Sequence, residues 1–225
     1  MDLKMESKIV VISNAGSGIG RTIARTFGQI GSYVVVLDPD PEDSTRVATE
    51  IEEAGGRAIP IKIDPTTGLE VAAGFERIAE LFGQVDVLVT TPAVIGSATL
   101  LSLSEFEWSE VINADLKAAF LVSQAATRLM AARDVPGQII LVAPAQPEGV
   151  MRPHIAAAQA GIIGLARSMA EELKPRIQVN AVVPPPPDQT RDIELGEVVV
   201  GPVIFFASRL SRGITGQHLQ AGSRV

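Results

Sequence analysis

Residues 8–20 read KIVVISNAGSGIG, an apolar run that passes through a glycine-rich turn into a helical pattern. Glycines in such a turn let the backbone approach a phosphate group, and the helix that follows offers unpaired N–H groups and the positive end of its dipole. A tight connection from strand to helix also prefers glycine, so the turn alone is a weak signal. Its position directly after the first predicted strand strengthens it, and it favours a phosphate-binding role for Gly18 and Gly20.

The rest of the chain continues this alternation of strand and helix. Strand-like apolar runs lie at Lys8–Ser13, Tyr33–Asp38, Ala58–Asp64, Val85–Thr90, Gln138–Ala143, Ile177–Val183 and, more weakly, Gln217–Gln220. Helical patterns lie at Ile19–Ile30, Asp43–Ala54, Gly68–Phe82, Ser104–Ala132, His154–Leu173 and Glu197–Ser208. Runs such as VVVLD are apolar on both faces, which is typical of a parallel sheet covered by helices on both sides. We therefore predict one α/β domain over residues 1–225, with a doubly wound parallel sheet of seven strands.

Composition argues against several classes of function. The net charge of −7 and the pI of about 4.9 disfavour nucleic acid, whose binding proteins carry a basic face. The chain has no cysteine, which excludes disulfides, a thiolate nucleophile and thiolate metal ligands. No apolar run reaches the roughly 18 residues of a membrane span, and the amino terminus has no apolar signal core, so the cytoplasm is the expected location.

Asp38 ends the second predicted strand, about 20 residues after the glycine turn. A carboxylate in that position can bind a ribose 2′-hydroxyl and repel a 2′-phosphate. Asp38 can equally be a turn residue that ends the strand before Pro39. The sequence leaves both roles open.

These segments together resemble the short-chain dehydrogenase/reductase family. SNAGSGIG is similar to the family's TGxxxGIG turn, and IKID, which ends at Asp64, resembles the segment with its adenine-contacting aspartate. VDVLVTTPA is similar to the strand VDxLVNNAG, and GQIILVAP to the strand that ends in the catalytic serine. IAAAQAGIIGLARSMAEEL resembles the YxxxK helix. The resemblance implies a Rossmann-type fold and a nicotinamide dinucleotide as cofactor.

The residues that carry this family's chemistry are missing. The resemblance implies a tyrosine as general acid and base, a lysine four residues later, a serine that polarises the carbonyl and an asparagine in a proton relay. Those positions are filled here by Ile155, Gln159, Pro144 (or Ala143) and Asp115, respectively. The single tyrosine, Tyr33, starts the second strand, and none of the five lysines lies in the body of the fifth helix. Isoleucine cannot transfer a proton, and loss of a general acid costs about 10²–10⁴-fold in rate.

The cofactor positions are altered as well. Asn14 stands at the first glycine of the turn, Thr90–Ala93 at the NNAG stretch, Gln159 at the lysine that holds the nicotinamide ribose, and Pro184-Pro185 at the Pro-Gly turn. The residues that remain are Gly18, Gly20, Asp38 and Asp64. We therefore expect either no bound cofactor or weakly bound NAD.

The preferred functional hypothesis is a non-catalytic subunit that assembles with a catalytically active short-chain dehydrogenase, as a heterotetramer. Heteromeric members of the family with one inactive subunit, such as hydroxybenzylsuccinyl-CoA dehydrogenase, offer the comparison. In the family the fourth and fifth helices pair across a twofold axis, and the last helix and strand form a second interface. Small residues at Ala157, Gly161, Gly164 and Ser168 suit such a contact, although we expect about half of them to pack against the chain's own sheet. The adjacent Phe205 and Phe206 suit the second interface, because one helical face can rarely bury both.

Two other functions remain open. One is an NAD-dependent oxidoreductase with an unconventional acid or base, built from His154 with Glu148 or Asp115. A histidine in the first turn of a helix is, however, more often a capping or solvent-exposed residue. The other is a homo-oligomeric dinucleotide sensor that uses Gly18, Gly20 and Asp38 without turnover. No nucleic acid or membrane partner is expected under any of the three.

Overall fold

The computed structural model describes residues 3–93, 96–132, 136–146, 152–186 and 192–222, with side chains from residue 195 onward in the last range. Seven strands form one sheet in the order β3-β2-β1-β4-β5-β6-β7, and every neighbouring pair is parallel. The strands are β1 (Ile9–Ser13), β2 (Tyr33–Asp38), β3 (Arg57–Lys62), β4 (Val87–Thr90), β5 (Gly137–Val142), β6 (Ile177–Val183) and β7 (His218–Gln220). The predicted fold class is confirmed, and strand ends differ from the predicted ones by no more than two residues.

Helices cover both faces of this sheet. They are α1 (Gly18–Gln29), α2 (Pro41–Glu53), α3 (Gly68–Phe82), α4 (Glu105–Val111), α5 (Ala118–Ala132), α6 (Pro153–Leu173) and α7 (Asp192–Ala207). The layer of α1, α2 and α7 packs on one face, and the layer of α3, α5 and α6 packs on the other. Among the described helices, none has the length and apolar character needed to cross a membrane.

The inner strands are apolar on both faces because each face meets one helical layer. On β1, Val10 and Ile12 pack with the α1–α2–α7 layer, whereas Ile9 and Val11 pack with the other. All four side chains are buried. Burial of each aliphatic side chain of this size contributes about 1.5–3 kcal/mol, so a polar residue on either face would cost stability.

The prediction of one continuous helix over Ser104–Ala132 is wrong at its centre. Ser104 caps α4, since its hydroxyl accepts from the Glu107 N–H and the Glu107 carboxylate accepts from the Ser104 N–H. After α4, the backbone winds as a π-helix over Ile112–Lys117 before α5 begins. Single π turns inside helices are frequent at functional sites, because the wider turn redirects side chains. Here it contains Asp115.

The last helix also differs from its prediction. It begins at Asp192, five residues before the predicted Glu197, and ends at Ala207. Phe206 is fully buried and Phe205 packs against the same cluster, with their ring centroids 5.4 Å apart. Phe206 is therefore unavailable to a partner, whereas Phe205 keeps part of the exposure that the sequence predicts.

The two edges of the sheet are chemically different. The edge strand β3 contains Pro60, which has no N–H to donate, and it begins and ends with the exposed cations Arg57 and Lys62. The edge strand β7 has three exposed residues and no proline. The edge at β3 thus carries two of the features that discourage another strand from pairing.

Candidate functional site

The turn from β1 to α1 is fixed by contacts to the end of β4. Asn14 has a φ of 51°, in the left-handed region that asparagine tolerates better than most residues. Its side-chain amide donates to the Thr91 carbonyl oxygen at 2.8 Å, and the Thr91 hydroxyl donates to the Ser13 carbonyl oxygen at 2.8 Å. The Asn14 side chain is therefore held by the loop after β4, rather than projecting freely over the turn.

The two glycines assigned to phosphate binding have different structural roles. A Cβ on Gly20 would lie 2.2 Å from the Asn14 carbonyl oxygen, so packing inside the turn alone requires glycine there. Gly18 has a φ of +49°, and a Cβ on it would meet nothing within 4 Å. Helix α1 begins at Gly18 and has no acidic residue in its first turn. Gly18 is thus the glycine that leaves open space at a helix end able to accept a phosphate.

Asp38 is buried at the carboxyl end of β2, and its carboxylate is engaged by backbone. It accepts from the Gly16 N–H at 2.8 Å and from the Asp40 N–H at 3.0 Å. The turn role considered from the sequence is confirmed by these bonds. The ribose role stays a prediction, and it fits the position, because the carboxylate lies against the glycine turn.

Arg46 takes part in this turn, although the sequence did not single it out. Its guanidinium donates to the Gly16 carbonyl oxygen at 2.9 Å and pairs with Asp43 and Glu50 on its own helix. Glu50 also accepts two bonds from Arg21, at 2.8 and 2.9 Å, and these bonds are the main cause that lowers the pKa of its carboxyl. The spacing of three and four residues from Arg46 signals the pairs within α2. It could not reveal the bond to the glycine turn.

Asp64 follows β3 and closes the turn before α3. Its carboxylate accepts from the Thr66 N–H at 2.8 Å, from the Thr66 hydroxyl at 2.7 Å and from the Thr67 hydroxyl at 3.4 Å. The bond from the Thr66 hydroxyl is the largest of the effects that lower the pKa of the Asp64 carboxyl, and the charge of Lys62 acts in the same direction. The carboxylate therefore has a structural role in this turn, beside the adenine contact that the resemblance implies.

Replacing Asp64 by alanine is expected to lower the free energy of unfolding by about 1–2 kcal/mol at pH 7, because three bonds to the carboxylate are lost. The pKa of the Asp64 carboxyl is lower in the folded chain than in the unfolded chain. Its contribution to stability is therefore complete above the pKa of the unfolded chain, and it is lost as the pH falls through the pKa of the folded chain. Urea unfolding at pH 7 and pH 3 should show a smaller difference from wild type at pH 3. The exposed Glu53→Ala variant is the control, and an Asp64→Ala deficit that does not shrink in acid would contradict the assignment.

The four positions aligned with the catalytic residues lie at the carboxyl edge of the sheet and in the helices beside it. Ile155 is 1% exposed in the first turn of α6. The Gln159 side-chain amide donates to the Pro144 carbonyl oxygen at 2.9 Å, and the Asp115 carboxylate accepts from the Ala93 N–H at 2.8 Å. The structure thus brings Gln159 to Pro144, and it ties the π turn to the loop after β4.

The single tyrosine lies at the opposite edge. Tyr33 begins β2, with its ring centroid 5.0 Å from that of Phe82 and the Arg57 guanidinium 5.1 Å above it. The amino end of a parallel strand faces away from the edge that holds Ile155. Tyr33 therefore cannot replace the missing phenol.

His154 is completely buried, with 0% exposure, so the expectation of a capping or solvent-exposed histidine is wrong. Neither ring nitrogen has a hydrogen-bond partner in the part of the chain that the structure describes. Gly96 packs directly on the ring, since a Cβ there would lie 1.8 Å from Nε2. Glu148, the other proposed member of this group, lies outside the described residues.

The residues present fit one half of a nicotinamide dinucleotide. Gly18 and the amino end of α1 suit the pyrophosphate, and Asp38 suits the adenosine ribose. The lysine that would hold the nicotinamide ribose is replaced by Gln159. Gln159 carries no charge, and its side-chain amide donates to the Pro144 carbonyl oxygen.

The comparisons with known proteins agree with this geometry. The model of the short chain dehydrogenase family matches residues 8–194. The 3-oxoacyl-[acyl-carrier-protein] reductase FabG of Thermotoga maritima is 29% identical over 239 residues, which cover 96% of each chain. The corresponding reductase of Escherichia coli is 30% identical over 187 residues, 81% of this chain and 74% of that protein.

Solved structures of the family superimpose along the whole chain. A short chain dehydrogenase from Mycobacterium smegmatis has a TM-score of 0.88 and 27% identity, over 100% of this chain and 95% of that one. A putative NAD(P)-dependent gluconate 5-dehydrogenase from Beutenbergia cavernae, with bound NADP, has a TM-score of 0.86 and 28% identity, over 98% and 97%. This chain belongs to the short-chain dehydrogenase/reductase family and has the fold of its NAD(P)-dependent oxidoreductases.

Proposed function

We propose that this chain is a non-catalytic subunit that assembles with a catalytically active short-chain dehydrogenase, as a heterotetramer. One observation carries the proposal: the α6 positions that supply the family's acid and its lysine hold Ile155, an aliphatic side chain that is 1% exposed, and Gln159, whose amide donates to Pro144. Neither side chain can give up or accept a proton at neutral pH.

The position of the family's serine supports the same conclusion. That position falls on Pro144 or Ala143, both of which are buried, and neither side chain has a hydroxyl group that could donate a hydrogen bond to a substrate carbonyl. Removing one such donor costs about 10²–10³ in rate in well-studied enzymes. Together with the loss at Ile155, it leaves the positions aligned with the family's acid, lysine and serine without a group that can protonate or polarise a carbonyl.

Exposed aromatic and small residues in the helices of the α3–α5–α6 side support assembly. We call this set of residues of α4, α5 and α6 the helix face; its members are Phe106, Trp108, Phe120, Gly164 and Ser168. Phe106 is 69% exposed and Phe120 is 43% exposed, high values for aromatic side chains of a subunit without a partner. A Cβ on Gly164 would meet nothing within 4 Å, so another helix can approach closely there.

Only part of the small-residue pattern is available for a partner. Gly161 packs inside the subunit, because a Cβ there would lie 2.6 Å from the side chain of Leu116. Exposed apolar side chains also lie at the carboxyl-terminal end of the chain, on Val198, Leu210 and Leu219. These residues suit the second interface expected for a tetramer.

A dinucleotide, if the subunit holds one, would be bound at its adenosine end. Gly18 and the start of α1 would hold the pyrophosphate, while Asp38 and Asp64 would contact the adenosine. Asp38 favours NAD over NADP, because a carboxylate repels a 2′-phosphate. The bound nucleotide would then serve stability or assembly of the complex.

The catalytic half of the proposal is tested with the purified chain. We expect turnover of a 3-oxoacyl thioester and of 5-ketogluconate, which probe the chemistry named for the relatives, to be at least about 10³-fold slower than in an active homologue. NADH and NADPH oxidation would be followed by absorbance. A kcat in the ordinary enzymatic range of about 1–10³ s⁻¹ would overturn the proposal.

The assembly half is tested by co-expression. The tagged chain would be produced with each YxxxK-bearing homologue of its own genome, and with the Escherichia coli reductase as a control. We expect one homologue to co-purify in equal amount and the control to stay behind. A stable homotetramer that retains none of them would contradict assembly with a partner.

A dinucleotide-sensing homo-oligomer is the second candidate, and the open end of α1 at Gly18 favours it. Titration with NADH, followed by its fluorescence, separates the two functions. Saturable binding by a homo-oligomer that has no protein partner would support the sensor.

An unconventional oxidoreductase would depend on His154. Its two unpaired ring nitrogens, counted among the described residues, favour this reading, whereas complete burial opposes it, because a general acid must exchange protons with solvent. Turnover by the pure chain that disappears in His154→Ala would support this candidate.

A further inference from the structure

We propose that a cavity at the amino edge of the sheet binds a small organic anion with two or more phosphate groups. The cavity, called here the amino-edge cavity, has a volume of about 600 Å³. It lies where β4, β5 and β6 begin, opposite the edge that carries Gly18 and Asp38. The inference does not depend on the proposed function.

Positive charge is concentrated in this cavity. The chain has a net charge of −7, yet among the described residues six basic side chains and one acidic side chain, Asp86, line the cavity. The six are Lys4, Lys8, Lys174, Arg176, Arg209 and Arg212. Cations gathered within one cavity repel one another, and a multiply charged anion relieves that repulsion.

Four of these cations already take part in interactions, and Lys4 and Arg176 are two of them. Lys8 Nζ lies 2.7 Å from the buried Asp86 carboxylate, and Lys174 Nζ lies 2.6 Å from the exposed Glu171 carboxylate. Arg209 and Arg212 are exposed, and their guanidinium groups form no ion pair or hydrogen bond with the described residues. These two arginines are therefore the groups best placed to receive phosphate oxygens, which guanidinium binds with paired N–H donors.

The turn that carries the two arginines is held by its own hydrogen bonds. Arg209 begins a 3₁₀ helix over Arg209–Ser211, Arg212 follows it directly, and both arginines line the cavity. Ser208 and Ser211 are both fully buried. The Ser208 hydroxyl accepts from the Leu210 N–H at 3.2 Å, and the Ser211 hydroxyl donates to the Phe206 carbonyl oxygen at 2.9 Å.

Strand β6 holds the same turn from the other side. The Gln178 side-chain amide donates to the carbonyl oxygens of Ser211, at 3.0 Å, and Ile214, at 2.8 Å. The Asn180 amide donates to the Ile214 carbonyl oxygen at 2.9 Å. Such anchoring lowers the entropy cost of binding, because the donors are already in place when the anion arrives.

The shape of the cavity indicates the size and kind of ligand. A volume of about 600 Å³ is within the range of small-molecule sites, so it suits a compact anion rather than a nucleic acid or a protein surface. Apolar side chains of Leu3, Pro136 and Pro175, which are at least partly exposed, line the cavity beside the cations. An organic body against these groups, with its phosphates on the arginines, corresponds to a nucleoside di- or triphosphate.

Calorimetric titration of the full chain with ADP and with inorganic tripolyphosphate tests the site. We expect both to bind, ADP more tightly, and the variant Arg209→Ser/Arg212→Ser to lose about tenfold or more in affinity. The matched control Arg25→Ser/Arg77→Ser removes the same charge from α1 and α3 and should bind as wild type does. Arg209→Lys/Arg212→Lys should retain part of the affinity, and circular dichroism would confirm that all variants are folded.

Three outcomes would overturn the proposal. The first is that neither probe binds wild type at millimolar concentration. The second is an equal loss of affinity in both serine double variants, which would indicate general electrostatic attraction. The third is binding of ADP that NADH displaces and that the arginine substitutions leave unchanged, which would place the nucleotide at the opposite edge.

Discussion

Replacing Gly20 by alanine is expected to lower the free energy of unfolding by about 3 kcal/mol, near the upper end for overpacking a buried position. The added Cβ would stand 2.2 Å from the Asn14 carbonyl oxygen and 2.9 Å from the Ala15 Cα. Both are backbone atoms, so no side-chain rotation can make room. The turn from β1 to α1 would have to move, and with it the bond from Asn14 to Thr91. Urea unfolding at pH 7 measures the effect.

Gly164→Ala is the matched control, because it adds the same methyl group to a helical glycine with open space around it. An exposed glycine inside a helix costs about 0.5–1 kcal/mol relative to alanine, so this variant should be more stable than wild type. Opposite signs for the two substitutions are the expected result. Equal effects would mean that the glycine turn is not packed as described.

Gly164→Arg is expected to abolish assembly with the partner subunit while leaving the isolated chain folded. The long charged side chain would stand on the helix face at the point where another helix must approach. A charge that is buried without a partner costs several kcal/mol at an interface, which corresponds to about 100-fold or more in affinity. Co-purification and analytical ultracentrifugation of the mixed subunits measure the loss.

The control for this experiment lies in the opposite helical layer. Glu53→Arg introduces the same residue at an exposed position of α2, away from the helix face. It should leave assembly unchanged. If both variants assemble like wild type, the subunits do not meet through α6, and the contact must be sought at Val198, Leu210 and Leu219.

The fold was predictable because its signal is repeated in each of the five inner strands. Runs such as Tyr33–Asp38 are apolar at consecutive positions, and only a sheet covered on both faces buries every residue of such a run. The glycine turn then indicated which edge of the sheet carries the candidate site. The family pattern identified Ile155 and Gln159, two positions that composition and periodicity alone would have left unremarked as ordinary helix residues.

The features that the sequence did not predict depend on contacts between distant segments. The π turn at Ile112–Lys117 contains Asp115, whose carboxylate accepts a hydrogen bond from the Ala93 N–H, 22 positions earlier in the chain. The buried His154 ring packs against Gly96, which is far away in the chain. The amino-edge cavity is lined by Lys8, Lys174 and Arg209, which lie in three separate segments of the chain. No local sequence motif could therefore predict it.

The asymmetry of the sheet edges also limits how copies of this chain can associate through their main chains. At β3, Pro60 and the flanking Arg57 and Lys62 discourage strand addition, whereas β7 has neither proline nor lysine. A molecule that can add a strand at one edge alone can join one other molecule and then has no edge left to offer. Open-ended addition of sheets is thereby disfavoured, and strand pairing through β7 would end at a closed pair.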